Sequence, residues 1–395
     1  MKFDFDTLID RRGTGSYKWD EAPSDDIIPL WVADMDFRTA PAVTEALQAR
    51  VAQGIFGYTM VEDDYYEALT SWFARRHGLH FTREQVIYCP GVVPAISASL
   101  KALTRPGDGV IIQTPVYNCF FSSIRNNGCR AVELPLIKVP CSDPRFFTYE
   151  MDFAALEEAA SDPRNRVLLL CNPHNPCGRA WTREELHRVG EICLRHGVTV
   201  LSDEIHCDVL MPGTRFCSYG TLPKEYAERA VLFNSPSKAF NTAGLQIANI
   251  VCGNPDLRYA IDRAVNDNEV CDVNPFGPIG LKAAYTEGEE WLIQLCEYIS
   301  GNYQTLCEFF ADHLPWLPIA KLEATYLAWV DISSLGISSD ALEELLLREA
   351  KVWLNAGSMY GDSRFLRINL ACPRPRLLTA LQRIISPLST LHSPL

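Results

Sequence analysis

The chain has 395 residues, of which 47% are hydrophobic and 22% are charged, so it contains enough apolar side chains for a large globular core. Its formal net charge of -13 argues against binding to nucleic acids or to an anionic membrane surface. The N-terminus has no apolar signal-peptide core, and no run of about 20 apolar residues occurs. We therefore expect a cytoplasmic protein without a membrane-spanning helix.

The domain organisation predicted from the sequence has three parts. Residues 1–45 form an N-terminal arm, residues 46–285 a large domain, and residues 286–395 a smaller C-terminal α/β domain. The stretch "TAPAVTEALQARVAQG" predicts a helix that begins at Pro41 and ends at Gly54. A long amphipathic helix is predicted to lead into the last part of the chain.

Six short apolar runs alternate with amphipathic stretches in the middle of the chain. They are "QVIYCPG", "DGVIIQTP", "RVLLLCNP", "GVTVLSDE", "RAVLFNSP" and "IANIVCG". Each run is continuously apolar, which is typical of strands buried on both faces. One of the intervening stretches carries a capping box at Thr182 and Glu185 and ends at Gly197, as helices do. The alternation predicts an α/β fold with a mostly parallel sheet flanked by helices.

Chemically active residues directly follow four of these runs: Tyr117, Asn175, Asp203 and Lys238. Taken singly, each has an ordinary explanation, as a loop aromatic, a turn former, a helix cap and a solvated lysine. In an open parallel sheet, however, ligands bind beyond the carboxyl ends of the strands, where these four side chains would meet. The pattern therefore predicts one site.

The four residue types match the functional groups of pyridoxal 5'-phosphate. A lysine whose pKa is lowered by burial or neighbouring cations is a nucleophile for the cofactor's aldehyde, which makes Lys238 the candidate. A buried carboxylate such as Asp203 needs a cationic partner, which the pyridine N–H provides. Tyr117 offers a ring for stacking, and Asn175 can donate to the phenolic oxygen.

The phosphate of such a cofactor also needs a binding site. The run "VIYC" continues through Gly91 into a helix, and free backbone N–H groups at a helix N-terminus favour an anion. The hydroxyl groups of Ser235 and Ser237 are further candidate donors. No dinucleotide-binding or Walker-type glycine pattern accompanies them.

Fourteen cysteines raise the question of metal binding or disulfides. No two are spaced as Cys-x-x-Cys, and most stand singly in apolar runs. Such cysteines in an intracellular chain act mainly as small buried apolar side chains. We therefore predict no metal site.

Nine blocks along nearly the whole chain carry a family resemblance: "IPLWVADMDF", "IFGYT", "PGVVPAIS", "QTPVYNCF", "NPHNPCGRAWTREEL", "SDEIHCD", "PSKAFNTAGLQ", "ATYLAWVD" and "RINLACPR". With them the chain resembles the fold-type I pyridoxal-phosphate enzymes, and among these the MalY/PatB group of C–S β-lyases, which is often classed with the class I/II aminotransferases. The resemblance implies a large cofactor-binding domain, a smaller C-terminal α/β domain and a homodimer.

The resemblance also implies roles for residues at the ring of the cofactor. Lys238 would bind the cofactor covalently and later move the Cα proton of the substrate. Asp203 would keep the ring nitrogen protonated, Tyr117 would stack on the ring, and Asn175 would bond to the phenolic oxygen. His206 stands where ordinary aminotransferases usually carry a tyrosine facing the cofactor.

Other residues would serve the phosphate and the substrate. The resemblance assigns the phosphate to the backbone of Val92 and Val93 and to Ser235, with Ser237 also at the cofactor. Tyr58 would reach across the dimer interface to the neighbouring cofactor and substrate. Arg367 would bind the α-carboxylate of the substrate, although alone it would suggest a surface salt bridge. Gln246 stands where many aminotransferases place a phosphate-binding arginine.

The implied activity is β-elimination from cystathionine or a cysteine S-conjugate, which gives pyruvate, ammonia and a thiol. An aminotransferase with the same lysine and carboxylate is the alternative, and only His206, Gln246 and the subgroup blocks argue against it. A second alternative is a regulatory or interaction protein that binds the cofactor as a ligand. Intact Lys238, Asp203 and Arg367 argue for catalysis.

Overall fold

A computed structural model of the chain describes residues 2–267, 269 and 272–392. Strands in this part of the chain form a seven-stranded sheet, a six-stranded sheet and a two-stranded pair. The strands are β1 (Ile28–Pro29), β2 (Val86–Cys89), β3 (Gly109–Thr114), β4 (Arg130–Pro135), β5 (Ile137–Pro140), β6 (Phe146–Glu150), β7 (Asn165–Cys171), β8 (Thr199–Asp203), β9 (Ala230–Asn234), β10 (Ala248–Val251), β11 (Ile319–Ala320), β12 (Leu327–Asp331), β13 (Val352–Trp353), β14 (Asn355–Ala356) and β15 (Phe365–Asn369).

The α-helices surround the sheets. They are α1 (Tyr17–Asp20), α2 (Pro41–Gln53), α3 (Asp63–His77), α4 (Val92–Leu103), α5 (Asn118–Asn126), α6 (Phe153–Ser161), α7 (Arg183–His196), α8 (Lys224–Ala227), α9 (Pro255–Asn266), α10 (Gly277–Glu287), α11 (Glu289–His313), α12 (Ser339–Leu345) and α13 (Arg374–His392). Among the described residues, no helix combines the length and the apolar character needed to cross a membrane.

The seven-stranded sheet has the order β2-β10-β9-β8-β7-β3-β4. All neighbours pair in parallel except β10, which is antiparallel to both β2 and β9. Every residue of β3, β9 and β10 is buried, as the continuous apolar runs require. The predicted mostly parallel α/β sheet is thus confirmed.

The six-stranded sheet has the order β14-β15-β12-β11-β6-β5 and is mainly antiparallel. Four of its strands come from the C-terminal part of the chain. The other two, β5 and β6, come from within residues 46–285, which the sequence assigns to the large domain. The hairpin formed by β5 and β6 therefore belongs to the six-stranded sheet. The domain limits remain a prediction.

Two predicted helices form with the predicted ends. α2 begins at Pro41, and Gly54 ends it with a left-handed φ of 73°. At the start of α7, the Glu185 N–H donates to Thr182 Oγ1 over 3.2 Å, and the Thr182 N–H donates to Glu185 Oε2 over 2.8 Å. This capping box satisfies two N–H groups that the helix itself leaves unpaired.

The N-terminal segment 31–37 passes along the edge between the two large sheets. Asn369 Nδ2, on β15, donates to the carbonyls of Val32 over 2.6 Å and of Asp34 over 2.7 Å. Asn241 Nδ2 donates to the carbonyl of Met35 over 2.9 Å from the other side. The segment is therefore held by side chains that are distant in the sequence.

A buried charge cluster anchors the same segment. Asp36 Oδ2 lies 3.2 Å from Lys18 Nζ and 3.0 Å from Arg376 Nη1, and its Oδ1 lies 2.9 Å from Arg11 Nη1. Burial alone would raise the pKa of Asp36, but Lys18 and Arg376 hold that pKa below its usual value. Because the charges compensate one another, the ionised carboxylate is tolerated in the interior.

Candidate active site

The carboxyl ends of β3, β7, β8 and β9 open into a cavity of about 500 Å³. The predicted site residues that line it are Val92, Val93, Tyr117, Asn175, Asp203, His206, Ser235, Ser237, Lys238 and Arg367. Residues more than 270 positions apart in the sequence thus meet at one edge of the parallel sheet, where such folds bind ligands.

Lys238 lies in the turn after β9 and is partly exposed to the cavity. Its Nζ donates to the carbonyl oxygen of Ala33 over 2.7 Å. Burial, together with the positive charge of Arg367, lowers the pKa of Lys238 to about 8. A large share of the amine is therefore neutral under mildly alkaline conditions, as a nucleophile requires.

Asp203 is the last residue of β8, and its side chain is buried. Its Oδ1 accepts a hydrogen bond from the Ile205 N–H over 3.1 Å. Burial raises the pKa of Asp203 to about 7, against a smaller opposing effect of the Lys238 charge. In the described part of the chain this carboxylate forms no ion pair. A protonated pyridine nitrogen would supply the missing cation, so Asp203 fits the cofactor ring.

The N-terminus of α4 lies at the other end of the cavity. Gly91 joins β2 to this helix, and a Cβ atom at Gly91 would come within 3.3 Å of Pro94 Cδ. The first N–H groups of α4, at Val92 and Val93, have no acceptor within the helix. These N–H groups and the helix dipole fit a phosphate group.

Ser235 shapes the turn that presents Lys238. Its Oγ donates to the carbonyl of Ile247 over 2.6 Å and accepts the Ser237 N–H over 3.1 Å. The hydroxyl proton of Ser235 is thus already donated to a backbone carbonyl. The side chain of Gln246 also lines this end of the cavity. The phosphate-binding role of Ser235 stays a prediction.

Arg367 lies on β15 and is buried. Its Nη1 donates to Asn175 Oδ1 over 3.1 Å, and its Nη2 donates to the carbonyl of Trp31 over 2.7 Å. Among the described residues, its Nε has no hydrogen-bond partner and it forms no ion pair. The interpretation of Arg367 as a surface salt bridge is therefore wrong, and a guanidinium with an unpaired N–H can bind a substrate carboxylate.

Tyr117 and His206 complete the walls of the cavity. Burial raises the pKa of Tyr117 well above its usual value, so the phenol keeps its proton. His206 is buried after β8, with its ring centroid 6.0 Å from that of Tyr326 at an interplanar angle of 72°. Burial and the charges of Lys238 and Arg367 lower the pKa of His206 well below its usual value. Its imidazole is neutral near pH 7.

A single chain does not bring Tyr58 to the cavity. The side chain is 97% exposed and lies in a loop that also exposes Ile55, Phe56 and Met60. The role predicted for Tyr58 needs a second copy of the chain, so it remains a prediction.

One group at the site has no signal of its own in the sequence. The carbonyl oxygen of Ala33 accepts both the Lys238 amine and the hydroxyl of Tyr326, the latter over 2.9 Å. The block "WVADMDF" marks the segment as special, but a backbone carbonyl is invisible to residue patterns.

A separate cleft of about 550 Å³ lies outside this site. Three of its charged residues pair with one another, because Arg179 lies 2.6 Å from Glu323 Oε2 and 2.7 Å from Glu185 Oε1. Another group, His77, Cys207 and Asp208, has the residue types of a metal site. Its carboxylate already accepts hydrogen bonds from Trp72, Arg76 and His77, which gives it a structural role.

The groups around the cavity call for one ligand that combines an aldehyde, a basic ring nitrogen and a phosphate, which is the composition of pyridoxal 5'-phosphate. Fold and site together define a fold-type I pyridoxal-phosphate enzyme. The family model for aminotransferase class I and II matches residues 25–384, and the chain belongs to this family.

Similar proteins cover the chain almost completely. The cystathionine beta-lyase PatB of Bacillus subtilis is 39% identical over 98% of this chain and 100% of its own length. The protein MalY of Escherichia coli is 32% identical over 97% of this chain and 98% of its own length. The crystal structure of cystalysin from Treponema denticola, which contains pyridoxal 5'-phosphate, superposes with a TM-score of 0.94 at 33% identity and covers 99% of this chain and 100% of its own.

Proposed function

We propose that the protein is a pyridoxal-phosphate-dependent C–S β-lyase that acts on cystathionine or on S-conjugates of cysteine. The observation that carries the proposal is that the Lys238 amine, the Asp203 carboxylate and the Arg367 guanidinium open into one cavity. The full-length similarity to a cystathionine beta-lyase supports a lyase over a transaminase.

The balanced reaction consumes one thioether and one water and releases one thiol, one pyruvate and one ammonium ion. The cofactor, when bound, supplies an electron sink that stabilises negative charge at the substrate Cα. Arg367 binds the α-carboxylate and thereby orients the Cα–H bond. The neutral Lys238 amine takes the Cα proton, and Asp203 holds the proton on the ring nitrogen.

The proposal also includes a homodimer in the cytoplasm. The exposed apolar side chains of Ile55, Phe56 and Met60 surround Tyr58, and such a patch on a protein surface typically marks an interface. Burying this patch against a second copy would allow Tyr58 to reach the neighbouring cofactor.

The test is a substrate panel assayed for both pyruvate and thiol. Cystathionine, S-alkyl cysteines and aryl cysteine conjugates are each incubated with the holoenzyme. Continuous release of pyruvate and thiol in equal amounts is the expected result. A transaminase would instead give 2-oxo acid without thiol and convert its cofactor to the amine form. The absence of pyruvate from every substrate would refute the lyase.

A further inference from the structure

We propose that the cavity selects cysteine thioethers whose sulfur carries an apolar or aromatic group over thioethers whose leaving thiol is charged, such as cystathionine. This inference rests on the proposed lyase activity and names its preferred substrate class. It is carried by the residues that surround Arg367 and by the distribution of charge along the cavity.

Arg367 fixes where the substrate enters the cavity. Its guanidinium lies 4.8 Å from the ring centroid of Tyr360 and is bound to the Trp31 carbonyl. The Trp31 carbonyl also accepts a hydrogen bond from Asn355 Nδ2 over 2.8 Å. A substrate whose α-carboxylate binds Arg367 therefore has the aromatic ring of Tyr360 near its carboxylate.

We name the residues Tyr17, Trp31 and Met359 the mouth of the cavity. All three line the cavity, and Tyr17 and Met359 are exposed large apolar side chains. The rings of Tyr17 and Trp31 lie 5.2 Å apart. An apolar group leaving with the sulfur would cover these exposed surfaces, which is favourable in proportion to the area removed from water.

The Trp31 ring is held in place from two other sides. It stacks on Trp353 with centroids 4.2 Å apart and an interplanar angle of 15°. Its Nε1 donates to the carbonyl of Lys18 over 3.2 Å. Because the ring is fixed before substrate binds, little side-chain entropy is lost when an aromatic group packs on it.

Charge is absent from the mouth. Among the described residues that line the cavity, the charged side chains are Asp203, Lys238 and Arg367. All three are assigned to the cofactor or to the substrate's own α-carboxylate and Cα proton. In the part of the cavity that a single chain lines, the second ammonium and carboxylate of cystathionine would lose water without gaining an ionic partner, which is unfavourable.

The holoenzyme distinguishes these substrates directly. We expect kcat/KM for S-benzyl-L-cysteine to exceed that for L-cystathionine by at least about tenfold, with S-methyl-L-cysteine as the small reference. Equal values, or a preference for cystathionine, would overturn the inference while leaving the lyase proposal intact. No pyruvate from any of the three would refute the lyase proposal instead.

Two variants test whether the mouth causes the preference. Tyr17→Ala should lower the benzyl-to-methyl ratio of kcat/KM about threefold or more, mainly through KM. Met359→Arg should lower the benzyl-to-cystathionine ratio of kcat/KM about tenfold, because the new guanidinium offers a cation to the second carboxylate of cystathionine. The control is Tyr259→Ala, since Tyr259 is 70% exposed, similar to 66% for Tyr17, but does not line the cavity.

Each outcome bears on the inference. The inference is supported if the ratios of kcat/KM between substrates change as predicted in Tyr17→Ala and in Met359→Arg and stay at the parent value in Tyr259→Ala. Ratios that stay at the parent value in Tyr17→Ala and in Met359→Arg, in proteins with parental cofactor absorbance, would assign the selectivity elsewhere and overturn it.

Discussion

The Nη1 of Arg367 donates to Asn175 Oδ1 over 3.1 Å, and this hydrogen bond joins the two large sheets across the cavity. Asn175 follows β7 of the seven-stranded sheet, whereas Arg367 belongs to β15 of the six-stranded sheet. The group that binds the substrate carboxylate is thus tied directly to the cofactor-binding edge. Its distance from Lys238 is set before any substrate arrives, which reduces the entropy lost in reaching a reactive geometry.

Replacing Arg367 by lysine should raise KM for a thioether substrate by about 10–100-fold, with a smaller effect on kcat. The ammonium group cannot donate to Asn175, to Trp31 and to a carboxylate in the planar geometry of a guanidinium. Steady-state pyruvate release measures both constants. Arg195→Lys is the matched control because its side chain is largely exposed on α7. An unchanged KM in the Arg367 variant would contradict the assignment.

Replacing Lys238 by alanine should lower kcat by about a thousandfold or more, because the variant lacks the amine that moves the Cα proton. Borohydride treatment followed by mass spectrometry should detect a reduced cofactor adduct on the parent protein and none on the variant. Lys224→Ala, at an exposed position in α8, should keep both the adduct and the activity. An adduct on Lys238→Ala would place the covalent linkage elsewhere.

The free energy of unfolding should fall as pH rises through neutrality, in part because of Glu204. Burial raises the pKa of Glu204 to about 7, although Ser218 and the Tyr219 N–H donate to its carboxylate. Between its ordinary pKa and about 7 the folded chain keeps a proton that the unfolded chain has released. This stabilisation is complete at low pH and is lost as pH rises through about 7.

Glu204→Gln should reduce that pH dependence by roughly 1–3 kcal/mol between about pH 5 and pH 8.5. Urea unfolding of both holoenzymes at the two pH values measures the difference, in which the contribution of the neighbouring Asp203 largely cancels. The matched control is Glu225→Gln, an exposed position. A variant with the full pH dependence of the parent would show that Glu204 is ionised throughout.

Placing a charge in the exposed apolar loop should separate the dimer. Ile55 is 71% exposed in the single chain, so Ile55→Glu should leave the fold intact and weaken self-association at least tenfold, about 1.4 kcal/mol. Sedimentation velocity at several concentrations measures the association. Ile293→Glu introduces the same charge at another exposed isoleucine, on α11. A parent protein that sediments as a monomer would contradict the dimer proposal.

The central sheet was largely predictable because its inner strands are buried on both faces. Five of the six apolar runs correspond to the inner strands β3, β7, β8, β9 and β10, and the sixth corresponds to the edge strand β2. The sequence does not predict the other edge strand, Arg130–Pro135, because this strand is half exposed and lacks a continuous apolar run. The reversed direction of Ala248–Val251 also has no signal, since apolar character does not distinguish parallel from antiparallel pairing.

The site was predictable where function depends on side chains at strand ends. Lys238 and Asp203 stand out because charged residues are rarely placed beside buried strands without a partner. The Ala33 carbonyl was not predictable, since any residue offers one. The mouth residue Tyr17 was not predictable either, because its approach to Trp31 depends on how the N-terminal segment crosses the sheets.

The anchoring of segment 31–37 has a consequence for biosynthesis. The Asn369 amide that holds the Val32 carbonyl lies 337 residues further along the chain, so this contact can form only after the ribosome has delivered β15. A nascent chain can pair the central strands earlier, because their contacts are closer in sequence. Catalytic competence is therefore acquired only after β15 has been synthesised and Asn369 has bound segment 31–37.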